Sequence, residues 1–271
     1  STHRGTLFPY TTLFRSKLIA GHTLINYDEN VSRVVIPKFV FAIADRAFSE
    51  RGQIKAIEMG ESVKSIGNYA FRMCYSMKEI ILPQTVDEFG KGVFENCWAL
   101  ERVAIPKGTK VIDDEMFIDC NSLIEIYLPN SIDVVDDNAF SRVPKLTTLH
   151  MGPEKLEVLP EAIRDVAVLS YLEKHSSDDV SQEKPNESEL IYRYIDEHGD
   201  RLTRRAITDS RTLAISYMVR RNLVKSAFIS ELVDMAASQR SSEIVALLID
   251  EQNKIQREES EQAEEAWNPF A

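Results

Sequence analysis

Phe48, Phe71, Phe94, Phe117 and Phe140 stand 23 residues apart, and that interval governs everything around them. Three positions after each Phe come Arg51, Cys74, Cys97, Cys120 and Val143. Six positions after come Ile54, Met77, Leu100, Leu123 and Leu146, and nine after come Ile57, Ile80, Val103, Ile126 and Leu149. Pro37, Pro83, Pro106 and Pro129 share one column with Gly60 and Gly152, while Ile43, Ile66, Phe89, Ile112, Val135 and Val158 share another. A segment of this length cannot bury its own apolar face, so stacked copies must line equivalent side chains into continuous rows. Within one copy, "MKEIILP" reads as the strand, with Met77, Ile80 and Leu82 facing inward. Pro83 ends it, because proline offers no N–H to a neighbouring strand. "IGNYAFRMC" reads as a short helical or irregular return. Asp45, Asn68, Asp114 and Asp137 precede that return in one column, interrupted by Lys91. Their side-chain oxygens are placed to cap free N–H groups.

The stretches "VIPKFVFAIADRAF", "SVKSIGNYAF" and "LPQTVDEFGKGVF" resemble the unit of the BspA-type (bacterial surface antigen) leucine-rich repeat family, over about residues 31–163. The resemblance implies an α+β fold: a leucine-rich-repeat solenoid of 23-residue units, with parallel strands on its concave face, followed by an all-α helical repeat region. It also implies a bacterial cell-surface or secreted setting and an adhesion role, although the residues themselves leave a cytoplasmic one open. The first repeat carries Arg51-Gly52 where the family has Cys, and Ile163 stands at the Phe position of the last. Terminal repeats depart from the pattern because one side faces no neighbour.

The chain divides by pattern. "TLFPYTTLFRS" (residues 6–16) resembles a translated sequencing adapter, so residues 1–16 are set aside as non-native and localisation is not read from that end. Residues 17–30 read as a capping hairpin with "YDEN" as its turn, and residues 31–160 as the solenoid. From 161 to 255 the apolar period becomes helical, through "PEAIRDVAVLSYLEKH", "ESELIYRYIDEH", "TLAISYMVRR", "AFISELVDMAAS" and "SEIVALLIDEQNK". Asn186 with Glu189 forms a capping pair for the second of these. The last three resemble ankyrin-like helical repeats, with an inter-helix stripe of Leu213, Tyr217, Phe228, Leu232, Ile244, Leu247 and Leu248. Residues 256–271 read as an acidic tail, a solvated helix or a linker.

Charge narrows the partners. Residues 1–153 hold 19 acidic and 17 basic side chains, whereas residues 154–271 hold 24 and 15. An acidic chain repels phosphate backbones, which argues against nucleic acid. No apolar run approaches the roughly 20 residues of a membrane span. The cysteine column reads as small buried hydrophobes, since parallel side chains oppose disulfide bonding and no His joins them as a metal ligand. Asp113, Asp114, Glu115, Asp133, Asp136 and Asp137 suit helix-start capping better than calcium. No catalytic triad, zinc motif or phosphate loop appears, so no enzyme activity, cofactor or metal is assigned.

The candidate partner-binding face lies between the core positions of the strands. One column holds Glu79, Arg102, Glu125 and Thr148, and the other Ile81, Ala104, Tyr127 and His150. Charge beside mixed aromatic and apolar groups suits a protein or glycan ligand on a monomer. An ordinary solvated sheet face explains the same composition. The alternative from another class is a regulatory or targeting segment of a larger enzyme whose catalytic domain lies elsewhere. A basic group, Arg201, Arg204, Arg205, Arg211, Arg220, Arg221 and Lys225, suggests an anionic partner, against a solvated helix face as the default.

Overall fold

The computed structural model describes residues 11–14, 17–27, 30–177 and 189–266. They fall into two compact units, residues 1–164 and 165–271. The N-terminal unit opens with β1 (Thr11–Phe14), β2 (Lys17–Ala20) and β3 (Thr23–Tyr27), paired antiparallel in that order. Each 23-residue repeat then supplies two short strands rather than one. The first set is β4 (Arg33–Val35), β6 (Ala56–Glu58), β8 (Glu79–Ile80), β10 (Arg102–Ala104), β12 (Glu125–Tyr127) and β14 (Thr148–His150). The second is β5 (Ala42–Ile43), β7 (Ser65–Ile66), β9 (Glu88–Phe89), β11 (Val111–Ile112) and β13 (Val134–Val135). All pairings within both sets are parallel and step by one repeat, as in Arg102↔Glu125 and Ala42↔Ser65. The second set corrects the single-strand reading. Its strands are two residues long and lean on a neighbouring repeat for their hydrogen bonds, so no local alternation announces them.

The core is the stack of rows. Phe48, Phe71, Phe94, Phe117 and Phe140 are buried, and successive rings lie 5.2, 5.7, 5.5 and 5.2 Å apart, within 20° of parallel. Offset stacking at such distances adds to the area each ring removes from water. Tyr27 extends the row backward, 5.1 Å from Phe48. Cys74, Cys97 and Cys120 are free and buried. They are more than small hydrophobes: each thiol donates to the carbonyl of an earlier phenylalanine, Phe48, Phe71 and Phe94, at 3.4, 3.1 and 3.2 Å. Burial pushes the Cys74 and Cys120 thiols up to about 12, holding them protonated as donors. Arg51 does the same work in the first repeat, where its Nε–H reaches the Tyr27 carbonyl at 2.7 Å.

Two local expectations are corrected. The hairpin turns at Gly21–His22, not at "YDEN"; Gly21 has φ +60°, a conformation a side chain disfavours. Tyr27 belongs to β3, and residues 28–29 lie outside the described residues. The Asp45 and Asn68 side chains cap no helix. Asp45 accepts the Asn68 N–H at 2.7 Å and Asn68 accepts the Lys91 N–H at 2.8 Å, so the column bonds repeat to repeat.

A 3-10 turn at Pro153–Val158 follows β14, and α1 (Glu161–Lys174) crosses the division between the units. The C-terminal unit contains α2 (Glu189–Thr208), α3 (Thr212–Arg220), α4 (Ile229–Ser238) and α5 (Ser242–Ala266). Helix α2 runs ten residues past the expected "ESELIYRYIDEH", through the buried Gly199 to Thr208. Of its expected capping pair, Asn186 lies outside the described residues. The buried face of α3 runs through Ala214, Ile215, Tyr217 and Met218, and Leu213 is exposed, contrary to the stripe expected from sequence. Residues 256–266 continue α5, so the acidic segment begins as helix.

Candidate functional site

The expected face is assembled by strand register. Arg102 lies opposite both Glu79 and Glu125, Glu125 opposite Thr148, Ala104 opposite Tyr127, and Tyr127 opposite His150. Ile80, Val103, Ile126 and Leu149 turn inward and are buried. Alternation along each strand therefore turns the residues on either side of them outward. Ile81 is 77% exposed and Tyr127 45%; Glu79, Arg102 and Ala104 are exposed, whereas Glu125, Thr148 and His150 are half-buried.

Four of the eight residues form one cluster. The rings of Tyr127 and His150 stack 4.0 Å apart at 12°. Glu125 Oε1 accepts from the Tyr127 hydroxyl at 2.8 Å and lies 2.9 Å from His150 Nε2. Its other oxygen is 3.3 Å from Arg102 Nε. The bond from His150, with those of Tyr127 and the nearby Arg102, holds the Glu125 carboxyl below its usual range against partial desolvation. Conversely, the bond to Glu125 raises the Tyr127 hydroxyl. The carboxylate thus fixes the orientation of both rings. Glu79, Ile81, Ala104 and Thr148 are aligned with the cluster but, among the described residues, lie outside its side-chain bonds.

Sequence reading stopped the exposed row too early. Continued by the same 23-residue step, it begins at Val35 (54% exposed) and Glu58, which pairs with Arg33 at 3.5 Å. It also passed over Tyr75 and Trp98, whose rings pack 4.4 Å apart, tilted by 37°, on the preceding turn; the 23-residue step relates them, but only those two repeats carry aromatics there.

The two charged groups singled out in sequence engage their own chain. Arg201 pairs with Asp165 at 3.0 Å, Arg204 with Asp200 at 3.0 Å and Glu231 at 2.7 Å, Arg205 with Asp209 at 3.2 Å, and Arg211 with Glu173 at 2.5 Å. Four of the seven members of the basic group are thus paired with carboxylates of the same chain. Lys91 holds Asp114 at 2.7 Å and Glu115 at 3.6 Å, and Lys155 holds Asp133 at 3.2 Å. Among the described residues no group of three or more His, Cys, Asp or Glu could hold a metal ion, and no helix is long and apolar enough to cross a membrane.

Parallel strands of two or three residues, a central phenylalanine row and a register of one repeat define a leucine-rich-repeat solenoid. The BspA type leucine rich repeat region is matched in six copies over residues 26–163, and the chain belongs to that family. Among solved structures it is similar to the T. pallidum leucine rich repeat protein, at 27% identity over 48% of this chain and 63% of that one, with a TM-score of 0.46. It is also similar to a leucine rich cell surface protein from Faecalibacterium prausnitzii A2-165, at 27% identity over 51% and 38% of the two chains and a TM-score of 0.49. A leucine-rich repeat protein from Bacteroides ovatus ATCC 8483 gives 29% identity, 52% and 38% coverage, and a TM-score of 0.45. The chain thus spans less than two thirds of each of these structures. No curated protein matches it.

Proposed function

We propose that the N-terminal unit is a non-catalytic interaction module that binds a protein partner along the row Ile81, Ala104, Tyr127 and His150, flanked by Glu79, Arg102, Glu125 and Thr148. The stacked Tyr127–His150 pair, clamped on Glu125, carries the reading. An exposed and a half-buried ring held in one orientation lose little conformational freedom when a partner covers them, so their burial converts efficiently into affinity. Ile81 and Ala104 continue the row as an apolar strip, and the charged column supplies a polar rim, the usual composition of an interface centre and its edge. At about 4.8 Å per strand, four rungs present a strip of roughly 14 Å, enough for an extended peptide or a protein edge. Family membership supports the same role, and adhesion at a bacterial surface is the setting it suggests.

The test begins with proteins retained by the immobilised chain from bacterial and host lysates, each identified and titrated by calorimetry. Tyr127→Ala combined with His150→Ala should weaken the partner at least tenfold, about 1.4 kcal/mol, with the thermal transition unchanged. Full affinity in that folded double variant would overturn the assignment.

A further inference from the structure

A second feature lies two repeats before the Tyr127–His150 pair. A depression of about 650 Å³ opens between Lys55, Tyr75, Lys78, Glu79, Glu101 and Arg102, within the size range of small-ligand sites. Ser76 and Ala99 also line it, and their short side chains leave the space. Tyr75 is held in place from both directions. Its ring packs 4.4 Å from Trp98, and its Cδ2 edge abuts Gly52, where a Cβ would come within 2.8 Å of Tyr75 Cδ2. Gly52, odd among the repeats in sequence, thus leaves room for the edge of the ring beside the depression.

The charges around it are sorted. Lys78 is paired with Glu101 at 3.2 Å and Arg102 with Glu125 at 3.3 Å. Among the described residues, Lys55 and Glu79 have no side-chain partner. A ligand therefore meets one fixed aromatic wall, one free ammonium that donates and one free carboxylate that accepts. A polyanion would face Glu79 and Glu101, and a polycation would face Lys55, Lys78 and Arg102, so like-charge repulsion disfavours both. A sugar ring matches instead: it has an apolar C–H face for the aromatic ring and a rim of hydroxyls that both donate and accept. We propose that this depression binds a saccharide, with a pyranose ring laid against Tyr75 and its hydroxyls shared between Lys55 and Glu79.

The depression shares Glu79 and Arg102 with the protein-binding row, whereas Lys55 and Tyr75 lie outside it, so the variants of these two test the proposal apart from that row. Saturation-transfer NMR and calorimetry would use the full chain with cellohexaose, maltohexaose, mannohexaose and chitohexaose as probes. At least one should bind saturably. Lys55→Met and Glu79→Met, both surface changes, should each weaken it about tenfold, as loss of a charge-assisted hydrogen bond does. Tyr75→Ala should abolish it, and Gly52→Ala should weaken it by displacing the ring. Tyr127→Ala with His150→Ala should leave saccharide binding unchanged. The proposal is overturned if none of the four hexasaccharides binds, or if binding survives Lys55→Met and Glu79→Met. It is equally overturned if Tyr75 governs a peptide partner and no sugar.

Discussion

Thr109 occupies a column whose other members are Val40, Val63, Val86 and Ile132, all five fully buried. Its carbonyl accepts from Ser131 at 2.6 Å, but its hydroxyl oxygen has no hydrogen-bond partner. A buried hydroxyl left unpaired costs about 1–3 kcal/mol, and a valine of the same shape removes that cost while adding apolar contact. Thr109→Val should therefore stabilise the chain by about 1 kcal/mol. Urea unfolding would show this as a higher midpoint at unchanged slope, and a lower midpoint would mean that the hydroxyl is satisfied in solution. The cysteine column shows the opposite case. There the polar atom has a task, because each thiol gives a second donor to a buried phenylalanine carbonyl that already accepts the N–H of Arg51, Cys74 or Cys97.

Between the two strand sets, each repeat makes its return in a conformation that the residue types do not advertise. Arg46, Tyr69, Gly92 and Glu115 form one column of positive φ, and Glu50, Met73, Asn96, Asp119 and Arg142 form another. Only Gly92, Asn96 and Asp119 are residue types that favour this region, and the others are strained by about 1–2 kcal/mol each. Bonds between repeats offset the strain: the N–H groups of Arg46, Tyr69 and Gly92 donate to Asn68, Lys91 and Asp114 at 2.8, 2.8 and 2.9 Å, and those of Glu50, Met73 and Asn96 donate likewise to the next repeat. Gly92 has a second duty. A Cβ there would lie 2.4 Å from Tyr69 Cε1, and the Tyr69 ring passes over it to donate to Glu115, two repeats from its own, at 3.2 Å. Gly92→Ala should therefore cost about 2–3 kcal/mol, combining left-handed strain with the lost tyrosine bond. Tyr69→Phe, which keeps the glycine, should cost only about 1 kcal/mol; equal losses from the two would reject the steric account. The sequence made the Phe row, its buried neighbours and the register legible, because a 23-residue period repeats every inward side chain. It hid the second strands and the left-handed columns, which depend on bonds to the next repeat and carry almost no glycine. The outward rows were legible by the same step, whereas the Tyr127–His150–Glu125 clamp was not, since spacing aligns side chains without stating which ones bond. Helix positions were legible too, but α3 turns Leu213 outward because burial follows Ala214, Ile215, Tyr217 and Met218.

For the N-terminal unit taken whole, the range of its contacts sets how it comes apart. The hydrogen bonds that join its repeats mostly span 22–26 residues, one repeat to the next, and the Tyr69–Glu115 bond at 46 residues reaches two. Stability in such an array is a sum of terms within repeats and between neighbours, so damage should be largest where both neighbours are lost and should fade along the stack. Phe94 is the place to test this, because its ring lies 5.7 Å from Phe71 on one side and 5.5 Å from Phe117 on the other. Phe94→Ala deletes both contacts and leaves a cavity in a fully buried row, at a cost of about 3–5 kcal/mol. Phe140 stacks on Phe117 alone among the described residues, so Phe140→Ala should cost less. Hydrogen exchange read by mass spectrometry should then show protection falling most in the repeats of Phe71, Phe94 and Phe117, with smaller changes in the hairpin of β2 and β3. Uniform loss of protection from the hairpin to β14 would instead mean that the array unfolds as one cooperative block, and that nearest-neighbour coupling is strong enough to carry a single missing ring across every repeat.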